Sequence, residues 1–163
     1  MSVLPITGTW ALKSFGLHPA ASPSSAALFQ PLGGHPLGRI IFTPENYMSC
    51  TLTSRDAASP MESPSWIVAN DDEVLDAARA MTTYCGPFRV YEQDGQQLLS
   101  TNVDIALDPN WIGKPQVRRW ELHGDRTLVL RPVQEFTLPD GTKTEGVLVW
   151  ERVNYDAKQL ANL

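Results

Sequence analysis

Short segments rich in β-branched and aromatic residues recur along this chain, and connections of hairpin length separate most of them. Asp94-Gly95 and Asp140-Gly141 supply the positive φ that tight hairpin turns require. Neighbouring segments are therefore expected to pair antiparallel, as an up-and-down meander. The predicted strands are Thr9–Leu17, Gly38–Thr43, Tyr47–Thr53, Phe88–Glu92, Leu98–Leu107, Gln116–His123, Thr127–Arg131, Gln134–Leu138 and Gly146–Val153.

A meander of this kind has two exposed edges unless it closes on itself, and closure alone removes them. A barrel of about eight strands also has an interior of roughly the size of one small ligand. The 163 residues, 42% of them hydrophobic, are enough for one domain with a real core. We therefore predict an all-β fold: a single antiparallel barrel over residues 1–163, with eight or nine strands and one short α-helix.

The helix is predicted over Asp71–Thr83, where Asp71 or Asp72 can cap the N-terminus and Gly86-Pro87 stops whatever follows. Its apolar residues at helical spacing are Val74, Ala77, Ala78 and Met81. Such a helix either plugs one end of a barrel or lies on its wall. Two long connections, 18–36 and 54–65, are predicted to be lids or binding loops, with disorder as the alternative.

Charge and hydropathy exclude several classes of partner. A net charge of -5 and a pI of 5.1 provide no basic patch for nucleic acid. No apolar stretch approaches the roughly 18 residues that span a bilayer, and the first residues lack the basic region of a secretory signal. Cys50 and Cys85 stand alone, without a CxxC motif, and are expected to stay reduced. We therefore expect a soluble, cytoplasmic protein without a membrane partner.

Sequence blocks in a consistent order along the chain carry a family resemblance. Gly8-Thr9-Trp10 is similar to the Gly-x-Trp signature of lipocalins. The further blocks are Pro36–Ser49, Pro109-Asn-Trp-Ile-Gly113, Gln116-Val-Arg-Arg-Trp120 and Leu148-Val-Trp-Glu-Arg152. Together they resemble the small lipocalin-like domain family of bacteria and fungi, which implies a lipocalin-like barrel.

The resemblance implies two kinds of function. Some relatives are cofactor-free cyclases or isomerases of polyketide- or terpenoid-like intermediates in secondary metabolite biosynthesis, and others are simple binders. Members of the family often carry a His shortly before the Pro-Asn-Trp block, where this chain has Asn102. A mechanism that needs an imidazole at that position is therefore not available here.

The first and last strands of a closed barrel are neighbours, which brings Trp10 and Arg152 within reach of each other. A planar guanidinium stacks well on an indole face. We therefore predict that this pair seals one end of the barrel, rather than that Trp10 contacts a ligand.

Alternation along Gln116–His123 places Trp120 and Leu122 on the apolar face, which also turns Gln116 and Arg118 inward. An arginine keeps its proton, so a buried one must meet a carboxylate, carbonyls or a ligand oxygen. Two interpretations follow for Arg118. Either it forms an internal ion pair with Asp104 or Glu135, or it binds an anionic or enolic oxygen of a ligand.

Each of the other candidate residues also has two interpretations. Alternation turns Asn102 and Asp104 toward water, but they become site groups if the cavity is polar. Tyr47 follows a turn near a barrel rim, where it either makes a plain hydrogen bond or takes part in acid–base chemistry if its pKa falls. The candidate catalytic residues are Arg118, Tyr47 and Asp104. The candidate substrate-binding residues are Phe42, Met48, Tyr84, Phe88, Asn102, Trp111 and Trp120.

Known catalytic signatures are missing from the sequence: there is no GxSxG, P-loop, GxGxxG or HExxH motif. His18, His35 and His123 are dispersed, so neither a metal nor a cofactor is predicted. The favoured hypothesis is a cofactor-independent cyclase or isomerase, as a monomer or homodimer, acting on a hydrophobic small molecule. The alternative is a non-catalytic carrier or sensor. Two titratable groups that converge inside the barrel would favour the enzyme, whereas apolar walls with one arginine would favour the carrier.

Overall fold

The computed structural model describes residues 3–154, so the predicted domain of 1–163 extends beyond the described residues at both ends. Helix α1 comprises Asp71–Arg79, and short 3₁₀ turns lie at Asp56–Ala58 and Pro109–Trp111. The strands are β1 (Gly8–Pro19), β2 (Leu37–Phe42), β3 (Tyr47–Thr53), β4 (Met81–Gln93), β5 (Gln96–Asn102), β6 (Ile105–Ala106), β7 (Pro115–His123), β8 (Thr127–Pro132), β9 (Phe136–Thr137) and β10 (Lys143–Val153).

Eight of these strands form a closed antiparallel barrel in the order β1-β2-β3-β4-β5-β7-β8-β10. The barrel closes because β10 pairs with β1 along the length of both strands, with Trp10 opposite Arg152 and Phe15 opposite Leu148. The two-residue strands β6 and β9 add to β4 and β10. The predicted lipocalin-like barrel with one helix is confirmed.

Alternation along the strands fills the interior of the barrel, which we call the lumen. In β3, for example, Met48, Cys50 and Leu52 are buried while the residues between them face outward. Phe42 and Phe88 meet edge to face inside, with ring centroids 5.1 Å apart. The other buried core residues are Ile6, Trp10, Leu12, Ile40, Tyr84, Leu99, Val103, Leu128, Leu130, Leu148 and Trp150. Each such side chain contributes roughly 1.5–3 kcal/mol by leaving water.

The two ends of the barrel differ because the strands alternate in direction. The hairpin turns after β2, β4 and β7 lie at one end, together with the segment before β1; we call this end the base. The longer connections 20–36, 54–80, 103–114 and 133–142 lie at the other end, which we call the mouth. The base is therefore bounded by short hairpin turns and the mouth by long connections.

Arg152 closes the base, as predicted. Its guanidinium carbon lies 4.1 Å from the centre of the Trp10 ring. It also donates hydrogen bonds to three backbone oxygens, those of Pro5 at 2.8 Å, Thr7 at 2.7 Å and Asp125 at 2.7 Å. The base is thus held by one side chain that bonds segments from both halves of the sequence.

The structure corrects the predicted helix. Helix α1 ends at Arg79, and 81–83 belong to β4. Its N-cap is Asn70, which forms a capping box with Glu73, and none of its side chains is buried. Gly86-Pro87 does not stop the chain but lies within β4. Gly86 is required there because the backbone oxygen of Asn102 lies 2.0 Å from where a Cβ would be.

Two predicted strands are shorter than expected. The segment Leu98–Leu107 divides into β5 and β6, because the chain bends at 103–104 to hydrogen-bond both β4 and the connection before β7. Only two residues of Gln134–Leu138 pair, as β9. No helix within residues 3–154 has the length and apolar character needed to cross a membrane.

Candidate functional site

Strand β7 presents Gln116, Arg118 and Trp120 to the lumen, as its alternation predicts. Arg118 lies opposite Leu99 on β5 and Pro132 on β8. Trp120 packs against the buried core. Arg118 is half-buried and lies in the half of β7 nearer the mouth.

The guanidinium of Arg118 has only neutral hydrogen-bond acceptors. It donates to the backbone oxygen of Val117 at 3.0 Å and to Oε1 of Gln116 at 3.4 Å. Within residues 3–154 no carboxylate lies within ion-pair distance of it. Asp104 instead accepts a hydrogen bond from Tyr47, and Glu135 pairs with Lys143 at 3.6 Å. The predicted internal ion pair is therefore absent from the described part of the chain.

Cys50 and Tyr84 are the titratable neighbours of Arg118. They lie opposite each other on β3 and β4, and both face the lumen. Burial raises the pKa of Tyr84 to about 12, the Cys50 thiol adds to the rise, and the charge of Arg118 opposes it. Burial also raises the pKa of Cys50 to about 12, again opposed by Arg118. Both groups therefore keep their protons at neutral pH.

A groove of about 350 Å³ opens at the mouth beside Tyr84. Trp111 borders the groove and also meets Tyr84 edge to face, with ring centroids 5.3 Å apart. Asp108 caps the short turn that carries Trp111 by accepting a hydrogen bond from the backbone of Asn110 at 3.0 Å. The remaining lining residues are Met81, Thr82, Thr83, Leu107 and Pro109. Trp111 thus joins this mainly apolar groove to the Tyr84 ring, which faces the lumen.

Two of the three candidate catalytic residues lie outside the barrel. Tyr47 is on the outward face of β3, and its hydroxyl donates to Oδ2 of Asp104 at 3.2 Å and lies 3.5 Å from the sulfur of Cys85. The hydrogen bond with Cys85 contributes most to raising the pKa of Tyr47 to about 12, whereas acid–base catalysis would need a lower pKa. Asp104 and Asn102 are exposed. Asn102 and Asp104 thus face water, as alternation predicts, and Tyr47 makes a plain hydrogen bond, so the alternative that makes these three residues cavity groups is not what the structure shows.

The candidate substrate-binding residues fall into two groups. Phe42, Met48 and Phe88 are fully packed in the core, on the inward faces of β2, β3 and β4. Tyr84 and Trp120 face the lumen near Arg118, and Trp111 is at the mouth. Among residues 3–154, no three His, Cys, Asp or Glu side chains cluster as metal ligands.

Sequence reasoning did not include Cys50 and Thr101 among the site residues. Thr101 is buried opposite Gln116, and Cys50 is buried opposite Tyr84. The signal for Cys50 was the alternation of Met48, Cys50 and Leu52 along one short strand. The signal for Thr101 was its position two residues after Leu99 on the inward face of β5.

The chain was compared with curated proteins, solved structures and family models. No curated protein matches the sequence. Bovine odorant-binding protein, solved with a selenium-containing odorant, is similar at 11% identity and a TM-score of 0.41, over 99% of this chain and 82% of that one. A redesigned β-barrel is similar at 12% identity and a TM-score of 0.38, over 92% and 93%. The family model described as "Lipocalin-like domain" matches residues 7–153, so this chain belongs to the lipocalin-like domain family.

Proposed function

We propose that this protein is a carrier or sensor that binds one hydrophobic small molecule through the mouth of its barrel. The apolar body of the ligand lies in the groove beside Trp111, and a ligand oxygen accepts hydrogen bonds from Arg118. The observation that carries the proposal is the Arg118 guanidinium, which faces the lumen with no carboxylate partner within residues 3–154. A charge withdrawn from water without a partner costs free energy, which a ligand oxygen would offset.

The size and lining of the groove support the same proposal. A volume of about 350 Å³ is within the range of small-molecule sites. Trp111 offers an aromatic surface in the lining of the groove, and Arg118 would add a polar group that fixes orientation. Apolar walls with few polar groups are typical of sites that bind hydrophobic molecules.

A cofactor-free cyclase or isomerase of polyketide- or terpenoid-like intermediates is the second candidate. One observation favours it: the Tyr84 phenol faces the lumen, where the charge of Arg118 acts to lower its pKa against the effect of burial. Together they would stabilise negative charge that develops on a carbonyl oxygen of the substrate. Both groups carry protons, so this reaction would be limited to steps in which the lumen donates hydrogen bonds and abstracts no proton.

We also propose that the protein acts in the cytoplasm. Cys50 and Cys85 are free, and they point to opposite faces of adjacent strands, so they cannot form a disulfide with each other. Unpaired thiols fit a reducing compartment. Binding in the lumen needs one chain only, which is compatible with either a monomer or a homodimer.

The test is native mass spectrometry of the purified protein after incubation with an extract of its own cells. The parent and Arg39→Met, which removes an exposed arginine on the outside of β2, are expected to retain the same small molecule. Arg118→Met is expected to lose it. Equal retention by Arg118→Met would contradict the proposal. A molecule recovered with altered connectivity would establish the cyclase or isomerase, and one recovered unchanged would support the carrier.

A further inference from the structure

We infer that the ligand held by Arg118 is a hydrophobic monocarboxylate, an inference that rests on the proposed binding function and names its ligand class. A guanidinium presents parallel N–H groups whose spacing matches the two oxygens of a carboxylate. In Arg118 one of these groups bonds the oxygen of the adjacent Val117, and another makes a long bond of 3.4 Å to Gln116. The fork is therefore incompletely used.

The side chains around Arg118 add further donors. Trp120, two residues away on the same face, has its indole N–H buried with no hydrogen-bond acceptor among the described residues. The Trp150 indole N–H, deeper in the lumen, is likewise buried without an acceptor in the described chain. The Tyr84 phenol and the Cys50 thiol are protonated. An acceptor-rich group is what this set of donors lacks.

Negative charge is kept out of the described lumen. Glu145 is the only buried Asp or Glu within residues 3–154, and it is on the outward face of β10, where it pairs with Arg119. The other described carboxylates lie on outward strand faces, on α1 or on turns and loops, except Glu92, which alternates with Phe88 and Val90 on β4 but is exposed toward the base, where it accepts a hydrogen bond from Gln97. The described lumen therefore has a net positive charge. A cationic ligand would be repelled, and a neutral one would leave the charge of Arg118 unmatched.

Three probes with the same ten-carbon chain and different head groups test this inference: decanoate, 1-decanol and decylammonium. Calorimetric titration of the parent is expected to give decanoate a Kd about 10- to 100-fold lower than 1-decanol, the range expected for hydrogen bonds to a charged group. Decylammonium is expected to bind weakest. Arg118→Met should bring decanoate to the affinity of 1-decanol, and Arg118→Lys should fall between them, because lysine keeps the charge without the fork.

Arg39→Met is the matched control, because it removes the same type of side chain and the same charge from the outside of the barrel. It is expected to leave all three affinities at parental values. Equal binding of decanoate and 1-decanol to the parent would overturn the carboxylate inference and leave the proposed hydrophobic site standing. No binding of any probe by the folded parent would overturn both. Parental preference for decanoate in Arg118→Met would show that another group holds the carboxylate.

Discussion

Replacing Arg118 with Met should leave the stability of the protein nearly unchanged. The substitution removes a half-buried positive charge and keeps an unbranched apolar side chain of similar length. If Arg118 belonged to a structural ion pair, its loss would strand a carboxylate and cost about 3–5 kcal/mol. The described chain contains no such carboxylate, so this cost is not expected.

The magnitude follows from the contacts of Arg118. Two hydrogen bonds to neutral acceptors are lost, at about 1 kcal/mol each. Against this, the partial desolvation of the guanidinium is relieved, which for a half-buried ion returns roughly 2 kcal/mol. The two effects nearly cancel. We expect the free energy of unfolding to stay within about 1 kcal/mol of the parent and Tm within about 4 °C.

The neighbouring residue provides a control with the opposite result. Arg119 is on the outward face of β7 and pairs with Glu145, whose side chain is only 11% exposed. Arg119→Met leaves that carboxylate with the Nε of Arg131 at 3.9 Å. Because Arg131 remains nearby and Arg119 is itself about a third exposed, we expect a loss of about 2–3 kcal/mol, less than for a fully buried pair.

Urea unfolding followed by tryptophan fluorescence, together with calorimetric melting, measures both variants. The expected order is parent and Arg118→Met close together, with Arg119→Met lower by about 4–12 °C in Tm. A loss of 3 kcal/mol or more in Arg118→Met would refute the reasoning, since it would reveal a structural role for Arg118. Equal stability of the two variants would contradict the assignment of the two arginines to opposite faces.

Three further perturbations test other parts of the structure. Trp150→Ala empties a fully buried site and should cost about 3–5 kcal/mol in urea unfolding, whereas Trp66→Ala at an exposed position should stay within about 0.5 kcal/mol. Arg152→Lys should lower the free energy of unfolding by about 2–3 kcal/mol, because lysine cannot reproduce the three backbone hydrogen bonds and the stacked contact with Trp10. Parental stability of this variant would contradict the role of Arg152 in holding the base together. Hydrogen bonds from Ser63 hold the pKa of Glu73 below its ordinary 4.5, so its stabilisation is present above pH 4.5 and is lost as the pH falls through the lower pKa of the folded chain. The protection factor of the Ser63 amide, which donates to Glu73, should fall over that acidic range in the parent and already be low in Glu73→Gln, and a parental protection factor that does not change with pH would contradict this.

Local patterns predicted the barrel and the direction of Arg118, because alternation along a strand determines which face each side chain occupies. The pair of Trp10 and Arg152 was equally predictable, since closure makes the first and last strands neighbours. The lack of an ionic partner for Arg118 among the described residues was not predictable. Whether Asp104 reaches it depends on a bend at 103–104 that arises from backbone hydrogen bonds to two other segments.

Gly86 is a second residue whose role local sequence patterns cannot predict. A Gly-Pro pair after an amphipathic segment is a common local signal for the end of a helix, and the sequence predicts that end at Gly86-Pro87. In the structure the glycine lies within β4, because the backbone of Asn102 passes too close for any side chain. The local signal was genuine, but its cause was a contact with a segment sixteen residues further along the chain.

The two inward-facing arginines of the barrel differ in their contacts, Arg152 at the base and Arg118 nearer the mouth. At the base, Arg152 donates three hydrogen bonds to backbone oxygens and stacks its face on Trp10, so it has more and shorter contacts than Arg118. Toward the mouth, Arg118 has the same chemistry and weaker partners. A fold selected for stability alone would not need Arg118, because an apolar residue of similar length is expected to give nearly the same free energy of unfolding. The contacts of Arg152 stabilise the base, whereas Arg118 keeps N–H groups without partners among the described residues near the mouth, and the proposed binding site rests on this difference.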